Sequence, residues 1–289
     1  MKRRKVLIAV TVVAALMIFY KVFGMPSSEV PVVASRMNNP DLKTILPNWH
    51  GTPVDKNGHF MNHEFPATQT FGNALKWMLE KNPQKQTKKN DTWRMQVVKD
   101  DNYLNTKEDV VVLLGHSTFF IRLNGKRILI DPIFGDLPMH TRYTDFPIET
   151  AKLVNIDYVL ISHSHYDHCD KASLKIIQNQ NPNAIFLAGL NMKSLLSEWV
   201  GKNEVQQAGW YQQYKLDDET EICFLPARHS SRRSFNDVNK RLWGAFVIKS
   251  KEKTIYYGGD SGYGSHYKEA GELFPNIDVA LIGVGAYSP

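Results

Sequence analysis

Residues Tyr158–Asp170 read YVLISHSHYDHCD. His163, His165, Asp167, His168 and Asp170 follow a short apolar run within eight residues, in a chain whose 289 residues include only 10 histidines. Imidazole nitrogens and carboxylate oxygens are the donors that divalent ions such as zinc accept. In extended chain alternate side chains share a face, so His163 and His165 can point together. Asp167 and His168 come slightly later, where the chain turns toward a helix, and could serve a second ion close to the first. Asp170 could instead cap that helix.

A tetrahedral site needs more donors than His163 and His165 supply. PARHSSRR sets His229 just behind another apolar run, and YYGGDSGYG sets Asp260 behind a third. The glycines beside Asp260 let backbone come close, and its two carboxylate oxygens could bridge two ions. These six residues are the candidate metal ligands, with Asp167 also the candidate catalytic group. His50, His59, His63 and His140 lack such context and read as surface or satisfied polar groups. His116 in GHST and His266 in GSHY are intermediate: each could line a pocket, with a structural or surface role the weightier reading. Cys169 and Cys223 make no disulfide framework and no CxxC metal pattern. Cys169 reads as a small semi-buried thiol and Cys223 as core.

Several strands must deliver these side chains. VVVLLG (Val110–Gly115), TFFIRL (Thr118–Leu123) and RILIDP (Arg127–Pro132) are strand-like, with the hairpin signal NGK between the last two. YVLIS, AIFLAG (Ala184–Gly189), EICFLPA (Glu221–Ala227), LWGAFVIKS (Leu242–Ser250), TIYYGGD (Thr254–Asp260) and VALIGVG (Val279–Gly285) read the same way. Helices are expected over Phe71–Leu79, Ala172–Gln178, Met192–Val200 and Tyr267–Leu273. Strands with interspersed helices predict layered α/β architecture, its sheets covered by helices. Strand-end loops meeting at one sheet edge then build the site.

Hydrophobic content of 43% and charged content of 22% are those of a globular chain. The net charge of +6 misleads, because Lys2, Arg3, Arg4 and Lys5 supply four positive charges. Without them 31 basic residues face 29 acidic ones, a net charge of +2, which argues against a nucleic-acid partner. Val6–Tyr20 is uncharged and mostly apolar. Fifteen helical residues span roughly 22 Å, short of a bilayer's hydrocarbon core, but counting to Met25 with Lys21 snorkelling gives about 20 residues, enough to cross. Residues 1–25 therefore read as a membrane anchor or a cleaved signal. Either puts the remainder on the non-cytoplasmic side, membrane-tethered in the first case and secreted or periplasmic in the second. Residues 26–56 read as linker and lead-in, and 57–289 as the folded domain. Glu80–Asp91, EKNPQKQTKKND, reads as a solvated lysine-rich loop.

The H-x-H-x-D-H motif behind a strand resembles the signature of metallo-β-lactamase-fold hydrolases. GHSTFFIRLNGKRILIDPIF, HSHYDHCD, PARHSSRR with RLWGAF, GGDSGYG and IGVGAYSP are similar to the branch containing N-acylphosphatidylethanolamine-hydrolysing phospholipase D, over residues 57–289. The resemblance implies an αββα sandwich with two zinc ions. His163, His165 and His229 would hold the first, Asp167 and His168 the second, and Asp260 would stand between. It also implies a chain continuing beyond the GAYSP-like segment to supply a further zinc-binding histidine. The sequence here ends at Pro289, so the expectation is a truncated domain with an incomplete second site.

The expected reaction is hydrolysis of a phosphodiester in a membrane lipid, releasing an N-acylethanolamine and a phosphatidic acid. Another ester, lactone or phosphodiester is the alternative, as is a non-catalytic metal-binding membrane protein. Trp77 and Trp243 read as core residues rather than lipid contacts.

Overall fold

Short apolar runs of period two, punctuated by glycine and asparagine, generate strands. Fourteen strands form among the described residues of the computed structural model, which describes residues 32–64, 79–136, 142–216, 219–234 and 236–285. First come β1 (Ser35–Met37), β2 (Lys43–Thr44), β3 (Thr52–Val54) and helix α1 (Lys85–Asn90). There follow β4 (Val110–Gly115), β5 (Thr118–Leu123), β6 (Lys126–Ile130), β7 (Tyr158–Ile161), α2 (Lys171–Gln180), β8 (Ile185–Gly189) and α3 (Lys193–Val200). The chain continues through β9 (Val205–Ala208), β10 (Gln212–Gln213), β11 (Glu221–Leu225), β12 (Ala245–Lys249), β13 (Thr254–Tyr257), α4 (His266–Leu273) and β14 (Val279–Leu281).

One body comprises Val32–Phe65 and Trp93–Gly285 and carries every strand. A separate unit comprises Met1–Pro31, Pro66–Thr92 and Ala286–Pro289. Of that unit residues 79–92 are described, and within the lysine-rich stretch expected as loop, Lys85–Asn90 forms α1, exposed throughout, while the rest is irregular. The candidate anchor over 1–25, Trp77, His140 and all but the last residue of the helix expected at Phe71–Leu79 lie outside the described residues. Among the described residues no helix is long and apolar enough to cross a membrane.

Twelve of these strands form two six-stranded sheets, ordered β4-β5-β6-β7-β8-β9 and β14-β13-β12-β11-β10-β2, and β1 and β3 form a separate two-stranded sheet. In the first sheet β4, β5 and β6 pair antiparallel, and β6 to β9 run parallel. Alternation along each strand sorts side chains to two faces. Ile121, Leu123, Ile128, Ile130, Tyr158, Leu160 and Leu187 turn inward onto Ile222, Phe224, Phe246 and Ile248 of the second sheet. Phe120, Leu129, Val159, Ile161 and Phe186 turn outward, under Leu174 and Ile177 of α2 and Leu196 and Val200 of α3. Each fully buried aliphatic or aromatic side chain contributes about 1.5–3 kcal/mol. On the far side Ala270 of α4 is buried, with Tyr267 and Leu273 packed partly buried against the second sheet's cluster. The layers are thus helix, sheet, sheet, helix, the expected αββα sandwich.

The boundary expected at residue 57 falls earlier. Residues 32–56 are no linker: β1 pairs with β3, β2 extends the second sheet through β10, and Val54 and Phe60 enter the core. Strands of two or three residues are too short to show a period. The glutamine-rich β9 and β10 show no period either: the buried Val205 and Ala208 sit at the two ends of β9 with glutamines between them, and β10 is two glutamines.

The sheets approach closely beside the motif loop, where the Gly244 amide donates to the Ser162 carbonyl at 3.0 Å. A β-carbon at Gly244 would sit 2.5 Å from the Leu225 carbonyl oxygen and 2.6 Å from the Phe224 ring. Gly244→Ala should therefore cost about 1–3 kcal/mol, read as a lower urea midpoint at unchanged slope.

Candidate metal centre

Strand polarity brings the chemistry to one place. β6 and β7 are parallel neighbours, so Asp131 and Ser162–His163 leave the first sheet at the same edge. The loops after β11 and β13 carry His229 and Asp260 from the second sheet, tied by a backbone bridge between Arg228 and Gly262. Gly259, at φ +58°, takes the chain past the Gly244 carbonyl, where a β-carbon would come within 2.9 Å of the oxygen.

All six expected residues meet. The His165 Nδ1 stands 2.9 Å from His163 Nε2 and 3.1 Å from His229 Nε2. The His168 Nε2 lies 3.3 Å from Asp260 Oδ1 and 3.9 Å from Asp167 Oδ2, while Asp260 Oδ2 is 3.9 Å from His229 Nε2. Three groups of donors each lie within 4.8 Å of one another: His163, His165 and His229; His163, His168 and Asp260; and His116, Asp167 and His168. Asp170 caps α2, its carboxylate accepting from the Ser173 amide at 2.8 Å. Cys169 and Cys223 are buried core thiols, both pushed up to about 12 by burial. Trp243 is core, as expected. His50 is exposed; His59 pairs with Asp55 and His63 with Glu269, away from these donor groups. His266 bonds Ser261 Oγ at 2.9 Å.

Partners behind the donors set their tautomers. The Ser162 hydroxyl donates to Asp131 Oδ2 at 2.6 Å and so accepts from His163 Nδ1 at 2.9 Å. That leaves the His163 Nε2 lone pair facing the cluster. His168 Nδ1 donates to the buried Asp131 at 2.8 Å, turning Nε2 toward Asp260. Asp131 also accepts from the Ser162 amide at 2.8 Å and the Tyr257 hydroxyl at 2.7 Å. Arg233 reaches back to the motif loop, donating to the Ser164 and Cys169 carbonyls at 3.0 and 2.6 Å.

The electrostatics match these roles. Burial, reinforced by neighbouring imidazoles, drives His163 well below the ordinary histidine range. Burial and then His165 bring His229 down to about 4. Neutral imidazoles whose nitrogens converge can turn their lone pairs to one cation. Burial opposes charge on His168, but Asp131 and Asp260 outweigh it and hold the ring up to about 10, so a cation binding at Nε2 would displace a proton there. Burial also opposes ionisation of Asp167, yet His116 and His168 take it below the usual carboxylate range. The donor set is nitrogen-rich, anionic at one side and held from behind, as a divalent ion requires.

Residues 126–289 match the family described as the β-lactamase superfamily domain. The chain belongs to that family. It is 34% identical over 174 residues to a UPF0173 metal-dependent hydrolase of Caldivirga maquilingensis, covering 60% of this chain and 69% of that one. Over 190 residues it is 32% identical to N-acyl-phosphatidylethanolamine-hydrolyzing phospholipase D 1 of Caenorhabditis elegans, covering 61% and 53%. A mitochondrial N-acyl-phosphatidylethanolamine-hydrolyzing phospholipase D of Saccharomyces cerevisiae is 31% identical over 193 residues, covering 61% and 40%. The chain thus spans about half the length of these phospholipase D relatives.

Three contributors stand outside the six expected residues. Asp131 ends RILID; a carboxylate directly behind a buried strand was the available signal. His116, read mainly as a surface residue, brings Nε2 to 3.3 Å from Asp167 Oδ2. Asn62 clamps His229 through both backbone groups: its Oδ1 accepts from the amide at 3.0 Å and its Nδ2 donates to the carbonyl at 3.0 Å. Asn62→Ala should weaken metal affinity by about 10–100-fold, measured by chelator competition, because the ligand is then free to swing.

Proposed function

We propose that this chain binds two zinc ions and hydrolyses a phosphodiester bond of a membrane lipid. His163, His165 and His229 would hold one ion, Asp167 and His168 the other, and Asp260 would lie between. The substrate that fits best is an N-acylphosphatidylethanolamine. Water adds at phosphorus, the bond from phosphorus to the ethanolamine oxygen breaks, and that oxygen takes up a proton. The products are an N-acylethanolamine and a phosphatidic acid. The reading is carried by two donor groups, His163–His165–His229 and His116–Asp167–His168, joined by a third, His163–His168–Asp260, that shares one histidine with each, and is supported by the likeness to the phospholipase D relatives.

A pair of divalent ions lowers the pKa of water toward neutrality and offsets charge on phosphate oxygens. Asp167, half-exposed in the cleft, accepts a proton from the attacking water or orients it. Asp131 and Ser162 keep His168 and His163 in the ligating tautomer. Tyr166 and Tyr263, exposed on the motif loop and the Asp260 loop, offer rings suited to a lipid-water boundary. We propose Val6–Tyr20 as the tether that raises the local concentration of such a substrate on the non-cytoplasmic side.

The test is full-length protein with vesicles of N-acylphosphatidylethanolamine, following N-acylethanolamine release by mass spectrometry with and without chelator. Chelator-sensitive release is expected. Bound zinc without release would overturn the lipid reading. Hydrolysis of a lactone or simple ester instead would favour the second reading, to which the larger matched share of the UPF0173 relative points.

A further inference from the structure

We propose that a cleft at the far end of β6 from the metal centre, walled by Arg127 and Lys152, binds a phosphate group. The inference stands apart from the two-cation reading and does not depend on it. β6 opens at Lys126 and ends at Ile130, directly before Asp131. From Arg127 to Asp131 the extended chain covers about 13 Å. Beside Arg127 lies a cleft of about 380 Å³, whose lining includes Asp101, Leu104, Asn105, Arg127, Lys152 and Asn155.

The charges around that cleft are unbalanced. Arg122 and Arg127 stand directly opposite each other in the β5–β6 pairing, so both side chains leave the same face of the sheet. Like charges so placed repel. Arg122 is fully engaged: Nε donates to the Glu108 carbonyl at 2.7 Å, Nη1 to the Tyr103 carbonyl at 2.7 Å and Nη2 to the Thr106 hydroxyl at 2.6 Å. Arg127 makes only a long bond, from Nη1 to the Leu104 carbonyl at 3.4 Å. Its Nε and Nη2 are buried without a hydrogen-bond partner. Asp157 accepts from the Arg127 amide and pairs with Lys126 at 3.6 Å, so its carboxylate is already engaged. Among the described residues neither guanidinium forms an ion pair.

Nε and Nη2 share one edge of the planar guanidinium, the fork that meets two oxygens of an oxyanion. Rotation about the last side-chain bonds turns that edge to the cleft that Arg127 already lines, at the loss of the long Leu104 bond alone. Lys152 stands half-exposed on the rim, paired with Asp101. Asn105 and Asn155 are exposed there and add amide donors. Arg122, Arg127 and Lys152 against Asp101 leave positive charge in excess, which suits a phosphate dianion better than a single carboxylate. The phosphate could be carried by a soluble ester or by a lipid headgroup. The simpler alternative is that Arg127 only roofs Phe120, its guanidinium carbon 5.4 Å from the ring centroid.

Calorimetry of the full-length protein separates these, with chelator present throughout so that no metal takes the phosphate, and at fixed ionic strength. Inorganic phosphate should bind, and Arg127→Gln should weaken it by about 10-fold or more, with Lys152→Gln weakening it by about threefold. Short-chain phosphatidic acid in the same titration distinguishes the sources. Binding about 10-fold tighter than inorganic phosphate assigns the site to a lipid headgroup, and equal or weaker binding assigns it to a soluble ester. Proton–nitrogen NMR of the unmodified chain needs no variant to fold: phosphate should move the Nε–H signal of Arg127 and leave that of Arg122, held by Glu108, nearly in place. No binding at about 10 mM phosphate, or affinity within about threefold of the unmodified chain in Arg127→Gln, overturns the proposal. So does an Arg127 signal that phosphate leaves unmoved.

Discussion

His165→Ala should remove hydrolysis by on the order of 10³-fold or more while leaving the fold intact. His165 Nδ1 is the donor that touches both neighbours of the first group, His163 Nε2 at 2.9 Å and His229 Nε2 at 3.1 Å. Its removal leaves two imidazoles and one carboxylate oxygen, too few for a closed tetrahedral position. Metal content should fall by one equivalent per chain. Stability of the metal-free protein should change by less than about 1 kcal/mol, because the ring sits in a loop, only partly buried, and takes no core contact with it. Paired measurements check this: metal content by mass spectrometry, and urea midpoints with chelator present. Retention of both ions with activity lost would mean that His165 acts on substrate rather than on metal. Loss of fold would mean that the cluster is structural.

Asp131→Ala should do the reverse and damage the fold first. Its carboxylate accepts from the Ser162 amide, the Ser162 hydroxyl, the Tyr257 hydroxyl and His168 Nδ1, all buried. Truncation strands those donors, each at about 1–3 kcal/mol when left unsatisfied. Loss of the partner of the buried His168 alone accounts for about 3–5 kcal/mol of the expected destabilisation. That is a large share of the roughly 5–15 kcal/mol that holds a domain. Asp131→Asn separates shape from charge. It keeps the volume but presents an amide donor to a ring of donors, so one hydrogen bond is lost and His168 is pushed to turn. Its midpoint should fall by about 1–3 kcal/mol, and its affinity for the second cation by about 10–100-fold. If Asp131→Ala unfolds at an unchanged midpoint, the hub assignment is wrong.

The two residues differ in how they could be found. His165 announces itself: a histidine two positions from another, behind an apolar run, needs no tertiary knowledge to be suspected. The same holds for His163, Asp167 and His168, and, through their strand-end setting, for His229 and Asp260. Apart from β9 and β10, strand and helix placement in 110–285 was legible to within a few residues for the same local reason, because half-buried strands alternate and amphipathic helices repeat. The amino-terminal part was misjudged. Lead-in residues 32–56 look irregular, yet Thr52 Oγ1 accepts from the Trp210 amide at 2.9 Å and Val54 is buried in the core. Contacts of that span leave no periodic trace in sequence.

The sequence by itself determined the types of candidate ligand, their spacing within the motif and the layered α/β class, because these depend on local chemistry and on periods of two and 3.6 residues. Tertiary structure alone decided that Asp131 stands behind His168, that Asn62 grips His229 from 167 residues away, and that His116 faces Asp167 across 51. Each of these is an encounter between a single polar side chain and a distant loop. One buried hydrogen bond at the end of a strand is enough to hold it, and nothing in the neighbouring residues records the partner.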